Sequence, residues 1–333
     1  MSNSSPVSAS QLQIDPARET DRIVKGIRDM VGHQLKRQGE VVGASGGIDS
    51  SVVAFLCARA LGSARLLLLF TPEADSSADS LRLGRAVAES LGARSVLEDI
   101  TPILKAAHCY ERRDDAIRRV VPEYGEGYQC KIVLPNLLDA DRYAIFSIVV
   151  RSPGGETRKV RLSAAAYLGI VAATNFKQRT RKMIEYYYAD LFQYAVAGTP
   201  NRLEYDQGFF VKLGDGAADF KPIAHLYKSQ VFQLAAYLGV PDEIRRRPPT
   251  TDTYSLDQSQ EEFYFSLPLE KMDLCLYGKD AGISPAALCV AAGLDEQQVE
   301  RVYRMIDSRR KSARYLHAAP LLFDESAAAL PGH

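Results

Sequence analysis

Six consecutive residues, Ser45-Gly46-Gly47-Ile48-Asp49-Ser50, carry the side chains and backbone freedom that phosphate chemistry needs. They follow a short apolar run at residues 40–44 and lead into a helical stretch over residues 51–61. A glycine pair at such a junction lets the backbone turn sharply and approach a ligand closely. The free N–H groups and partial positive charge of a helix N-terminus then favour an anion. Ser45 and Ser50 add hydroxyl donors. Asp49 is out of place beside an anion unless a divalent cation mediates the contact, so the loop points to Mg-ATP. Two familiar phosphate loops are excluded. There is no G-x-x-x-x-G-K-[ST], and no G-x-G-x-x-G fingerprint follows the first strand.

The elements around the loop read as alternating strands and helices. Asp15-Pro16 is a cap followed by a first-turn proline, and it opens a helical pattern over 14–38. The run at 40–44 reads as a buried strand, 65–70 as a second and 95–100 as a third, with an amphipathic helix over 76–91. This rhythm predicts a parallel sheet covered on both faces, joined by right-handed crossovers. Residues 105–165 break it. Residues 111–119 are charged, 143–150 and 157–162 alternate like strands, and Arg151 to Glu156 forms a turn between them, so an inserted β-hairpin is predicted. A long helix over 163–190, a strand at 193–197, a polar loop at 246–260 and a mainly helical remainder complete the reading. The expected organisation is a flexible lead-in at 1–14, one α/β domain over 15–265 and a helical region over 266–333.

Composition narrows the function classes. The 333 residues carry 41 basic and 41 acidic side chains, so the formal net charge is zero. That balance lacks the basic field of nucleic-acid binders. The five cysteines form no C-x-x-C pair, which suits a reducing compartment and offers no metal or redox motif. No apolar run approaches the ~20 residues of a membrane helix, and no secretory signal is visible. A cytoplasmic location is expected, with no nucleic acid or membrane partner.

The hexapeptide resembles the pyrophosphate loop of the N-type ATP pyrophosphatases, and the second half of the chain resembles one branch of them, the ammonia-dependent NAD synthetases. The matching segments are Gly198-Thr199-Pro200-Asn201-Arg202-Leu203-Glu204, residues 208–219, Pro222-Ile223, Leu226-Tyr227-Lys228 and Pro249-Thr250. Upstream, Asn175, Arg179, Arg181 and Met183 fit the same pattern. The resemblance implies a Rossmann-like, adenine nucleotide alpha hydrolase-like fold: a doubly wound parallel sheet with a helical C-terminal region. It implies that ATP adenylates a carboxylate, nicotinate of deamido-NAD, and that ammonia displaces AMP to give NAD. Residues Ser45, Gly46, Gly47, Ile48, Asp49 and Ser50, with Thr199, Lys228 and Thr250, would contact ATP. Asp49 and Glu204 would hold magnesium, with Asp49 and Lys228 serving catalysis. Arg179, Lys212 and Asp219 would contact deamido-NAD. A homodimer is also implied, and Tyr186-Tyr187-Tyr188 reads as core and interface packing.

Glutamine-fed relatives carry an amidase domain, for which the 44 residues before the loop leave no room. Free ammonia, or ammonia from a separate supplying protein, is therefore expected. Two departures stand out. The stretch between Ile100 and Asn175 is longer than in compact bacterial members. The His-Lys pair that meets the dinucleotide near their C-terminus has no match, and Arg314, in Ser312-Ala313-Arg314-Tyr315, is the nearest candidate. Amidation of a different carboxylic acid, tRNA modification and non-catalytic nucleotide binding remain as alternatives.

Overall fold

The computed structural model describes residues 8–134, 146–250, 253–265 and 267–323. The chain enters through α1 (Pro16–Arg28), whose N-terminus is capped by Asp15 accepting from the Ala17 and Arg18 amides at 3.0 and 3.1 Å. The predicted helix continues past Arg28 as a turn of π-helix, Asp29–Gln34. Then follow β1 (Glu40–Gly43), α2 (Ile48–Leu61), β2 (Leu66–Phe70), α3 (Ala78–Leu91) and β3 (Arg94–Leu97). Next come α4 (Thr101–Ala106), α5 (Cys109–Arg118), β4 (Gln129–Val133), β5 (Ser147–Arg151) and β6 (Thr157–Arg161). The 29-residue α6 (Ala164–Phe192) leads to β7 (Ala195–Ala197) and α7 (Arg202–Gln207). The remaining helices are α8 (Lys228–Leu238), α9 (Asp242–Arg246), α10 (Leu269–Asp280), α11 (Pro285–Ala292) and α12 (Glu296–His317).

The main sheet has the order β3-β2-β1-β7, and every pairing in it is parallel. Side chains alternate between its faces, as a pleated strand requires. Val42, Leu66, Leu68, Phe70, Ala195 and Ala197 pack under α1, α2, α3 and α8. Val41, Leu67, Leu69 and Val196 pack under α6. Both faces are thus covered, as the continuous apolar runs of β1 and β2 predict. The chain runs outward from β1 through β2 to β3, then returns to place β7 on the other side of β1. The carboxyl ends of β1 and β7 therefore frame the point where strand order reverses, where ligands of open α/β sheets bind.

The insertion differs in part from the expectation. β5 and β6 form the expected antiparallel hairpin, with the Ser152 amide donating to Glu156 O at 2.8 Å across the turn. Residues 143–145 of the anticipated strand lie outside the described residues. A third strand, β4, pairs antiparallel with β5 and was not anticipated. The charged stretch at 111–119 is mostly the helix α5. Its buried face is Cys109, Arg113, Ala116 and Ile117, spaced as a helix demands. Arg113 hides that periodicity: it is buried only because it pairs with Asp75 at 2.5 Å and Asp114 at 2.8 Å. A separate apolar cluster joins α10, α11 and α12 through Phe265, Met272, Leu288, Val302 and Ile306.

One charge in the sheet is costly. Glu40 on β1 is 0 % exposed, and no strong hydrogen-bond donor reaches its carboxyl oxygens among the described residues, the Cys57 thiol alone lying beside them. Burial raises its pKa to about 8. An unfolded glutamate titrates near ~4.3, so the folded state holds this proton more tightly. The resulting stabilisation is full below that value and is lost as pH rises through about 8. Glu40→Gln should therefore leave the melting temperature nearly unchanged at acidic pH. At alkaline pH it should stabilise the protein by on the order of 5 kcal/mol, read as a melting temperature that no longer falls between pH 5 and 9. Parallel melting curves of the two proteins would overturn the assignment.

Candidate active site

The loop after β1 has the conformation its glycines permit. Gly46 sits at φ +73°, and a Cβ there would stand 2.4 Å from Ser80 O and 3.0 Å from Leu83 Cβ on α3. Glycine is required twice over, by the backbone conformation and by the close approach. The helix begins at Ile48, so Ile48, Asp49 and Ser50 form the first turn of α2. Ser45 and Ser50 lock the loop: their hydroxyls lie 3.1 Å apart, and Ser50 donates to Gly47 O at 3.1 Å. The Ser51 hydroxyl also reaches Gly47 O, at 2.8 Å.

Asp49 projects from that first turn toward the loop after β7. Asn201 Nδ2 donates to Asp49 Oδ1 at 3.0 Å, and Lys228 Nζ pairs with Asp49 Oδ2. Asn201 also opens α7 as half of a capping box. Its side chain accepts from the Glu204 amide at 3.1 Å, and Glu204 Oε2 accepts from the Asn201 amide at 3.2 Å. Asn201 thus stands between the two carboxylates. Gln260 Nε2 supports Glu204 from the other side, donating to Oε1 at 2.9 Å. Behind Lys228, the buried Asp273 of α10 accepts from the Lys228 amide at 3.3 Å and the Ser229 amide at 2.7 Å, capping α8. The C-terminal helices therefore fix the position of Lys228.

The charges in this cluster depend on one another. Burial, and then the charge of Asp49, raises the Glu204 carboxyl to about 8. Burial would lower the pKa of Lys228, but the carboxylates of Asp49 and Glu204 outweigh it and the net shift is upward. Burial likewise raises Asp273 to about 6. A divalent cation at these two carboxyls would favour the ionised form of Glu204 that burial and the Asp49 charge disfavour.

These groups lie at one end of a cavity of about 740 Å³ that runs along the carboxyl edge of the sheet. Of the residues singled out in the sequence, Ser45 to Ser50, Thr199, Glu204, Thr250, Arg179 and Lys212 line it. Lys228 does not. It is 1 % exposed and lies beneath the floor, reaching the cavity through Asp49. Asp219 is also absent from the lining. Its carboxylate accepts from the Val196 amide at 2.7 Å and the Tyr186 hydroxyl at 3.2 Å, so within this chain it ties down the start of β7. Lys212 lines the cavity, but its ammonium donates to Tyr315 O and Ala318 O at 2.8 and 3.0 Å, capping the end of α12. Arg314 is exposed and off the lining, and Tyr315 and Leu316 take its expected place. Sequence reasoning gave no role to Asn201, Gln260 or Asp273. The N-x-x-E spacing of a capping box marks Asn201 locally, whereas Gln260 and Asp273 become neighbours of the site only through the fold.

Comparison with known proteins accords with this geometry. The NAD synthase family profile matches residues 19–121 and 157–314, leaving out β4 and β5 of the insertion. The NH(3)-dependent NAD(+) synthetase of Mesorhizobium japonicum is 60% identical over 311 residues, covering 93% of this chain and 98% of that protein. Its namesake in Rhizobium meliloti is 59% identical over 315 residues, covering 95% and 94%. Among solved structures, the fold is similar to that of the NH3-dependent NAD synthetase from Campylobacter jejuni. The TM-score is 0.61 at 22% identity, covering 93% of this chain and 100% of that one. A phosphate loop, a carboxylate pair and a sheet-edge cavity in one frame, matched along most of the chain, place this protein in the NAD synthase family.

Proposed function

We propose that this protein converts deamido-NAD to NAD, using ATP to adenylate the nicotinate carboxylate and ammonia to displace AMP. The observation that carries the proposal is the joining of the phosphate loop to Asp49, Asn201, Glu204 and Lys228 where strand order reverses. A carboxylate resists ammonia because its leaving group would be oxide, and adenylation replaces that with AMP. In the first step a carboxylate oxygen bonds to the α-phosphorus, the α–β phosphoanhydride bond breaks and pyrophosphate departs. In the second, ammonia bonds to the acyl carbon, AMP leaves with the acyl C–O electrons, and the nitrogen loses a proton.

The protein's contribution is positional and electrostatic, as is usual in phosphoryl chemistry. The loop amides and the α2 N-terminus receive the departing pyrophosphate. Lys228 fixes the Asp49 carboxylate from below, and Asn201 sets its distance from Glu204. Magnesium fits this donor set: two oxygen-bearing carboxylates flank Asn201, and the ion habitually takes one or two carboxylates and completes its shell with phosphate oxygens and water. Among the described residues no cluster of three acidic, His or Cys side chains competes for it. Held by Asp49 and Glu204, it would neutralise charge on the departing pyrophosphate. Thr199, Thr250 and Arg179 supply further lining for the nucleotide and the acid.

The chain also has a surface suited to a second copy. Met183, Tyr187 and Leu191 recur every four residues on α6 and are 54%, 59% and 56% exposed. Tyr188 of the same helix bonds to Glu98 just past β3, so this stripe lies by the sheet edge, where Leu97 is 47% exposed. Family membership and this stripe support an isologous homodimer. All five cysteines are free, and among the described residues no helix is long and apolar enough to cross a membrane, which supports a cytoplasmic location.

With ATP, magnesium, ammonium and deamido-NAD, the protein should form AMP and NAD in equal amounts, and AMP without NAD would count against the proposed acid. Asp49→Ala should lower turnover by about 100-fold or more, the scale seen when a group stabilising transition-state charge is removed. Undiminished AMP release would refute its role. Gly46→Ala should raise KM for ATP by at least about tenfold and cost on the order of 1–3 kcal/mol of stability from the strained φ alone, readable by titration and thermal unfolding. Tyr187→Glu combined with Leu191→Glu should convert a dimer to a monomer in sedimentation; an unchanged mass would exclude this surface.

A further inference from the structure

Residues 122–156 fall outside the family match, and β4 within them has one edge paired to β5. Its other edge is bonded as well, by a loop from far along the chain. The Cys130 amide donates to Ser255 Oγ at 2.9 Å, and Cys130 O accepts from the Leu256 amide at 3.2 Å. Two residues on, Ile132 O accepts from Gln258 Nε2. After another two, the Leu134 amide donates to Glu262 O at 3.1 Å. Alternate residues of a strand present their backbone groups to the same edge, so these contacts form one row. Lys131 adds the Asp257 carbonyl at 3.0 Å and the Glu262 carboxylate at 2.9 Å. The base of the loop is closed on itself by the Gln260 amide, which donates to Pro249 O at 3.0 Å.

Covering a sheet edge guards it against pairing with other chains, and any loop could serve that purpose. This loop belongs to the site. Thr250, Thr253, Tyr254, Gln260, Phe263 and Tyr264 all line the cavity. Gln260, two residues after the Gln258 contact with β4, donates to Glu204 Oε1. Lys177 on α6 fixes the other end of the segment. Its Nζ donates to Thr253 O at 2.8 Å while pairing with Asp75 at 2.7 Å and Glu73 at 3.0 Å. Those two acids sit in the loop after β2, so one ammonium ties both cavity loops together. The Tyr110 hydroxyl holds Glu73 from behind, donating to Oε2 at 2.8 Å. Lys177 is 1% exposed and does not line the cavity, so it acts on the wall and not on a ligand.

We propose that the β4 edge and Lys177 latch residues 253–260 over the cavity, so that the acyl-adenylate meets ammonia and not water. This rests on the amidation reading. Closing a site over a reactive intermediate prevents its hydrolysis. Without the latch, water bonds to the acyl carbon and the acyl C–O bond to AMP breaks, its electrons leaving on AMP. The water protons pass to solvent, the acid is regenerated, and ATP is consumed without NAD. Lys177 is thus a positioning residue, and its signature is the ratio of AMP to NAD. The test compares wild type, Lys177→Met and Ser255→Ala, the last removing a single edge bond should Lys177→Met fail to fold. Hydrogen exchange of residues 253–260 in the full chain should quicken about fivefold in Ser255→Ala and at least about tenfold in Lys177→Met. At low ammonium wild type should form AMP and NAD equally, whereas in Lys177→Met AMP should exceed NAD by at least about twofold. Ser255→Ala should show a smaller excess, and high ammonium should restore equality in both, because ammonia then outcompetes water. AMP and NAD that stay equal at low ammonium, or fall together in step, overturn the proposal. If wild type makes no NAD from deamido-NAD, the amidation reading fails, and the latch is then decided by exchange alone. Unchanged exchange in both variants overturns it.

Discussion

The ion pair between Asp49 and Lys228 is the interaction on which the rest of the site depends. Lys228 is nearly inaccessible to solvent, and an ammonium buried without partners would lose its proton or destabilise the fold. It stays charged because Asp49 and Glu204 face it. Those carboxylates in turn are tolerable in the interior because Lys228, Asn201 and Gln260 engage them. Each group requires the others. The cluster therefore binds three parts of the chain together: the first turn of α2, the capping box of α7 and the first residue of α8.

That mutual dependence explains why the C-terminal helices belong to the site although few of their side chains line the cavity. Asp273 holds the N-terminus of α8 and so sets where the Lys228 side chain starts. The end of α12 closes another side, with Tyr315 and Leu316 on the lining and the Lys212 ammonium bonded to the last carbonyls. Lys212 consequently has a structural task in this chain, and any contact it makes with a dinucleotide must share the ammonium with that helix end.

A second buried network joins α5 and α6 to the same cavity. Lys177 on α6 reaches Asp75 at 2.7 Å, Glu73 at 3.0 Å and the Thr253 carbonyl at 2.8 Å, while Arg113 on α5 holds Asp75 from the other side. The loop after β2, which lines the cavity through Thr71, Pro72 and Ser76, is thereby pinned to α5.

Local patterns disclosed much of this. The hexapeptide Ser45 to Ser50, the apolar runs of β1 and β2 and the Asp15-Pro16 cap all act through residues adjacent in the chain, where backbone sterics, helix-end amides and face periodicity are settled. The ordered segments from Gly198 to Thr250 identified the family for the same reason, since short motifs survive as motifs. What the chain alone did not disclose are contacts between distant residues. Asp273 lies 45 positions from Lys228 and Gln260 lies 56 from Glu204. Arg113 belongs to a stretch that reads only as charged, and Asp75, 38 residues away, accounts for its burial. Asp219 and Arg314, plausible by position, turned out to face a strand amide and solvent. A buried polar group is stable only with its partner, and which partner it meets is decided when helices and sheet pack.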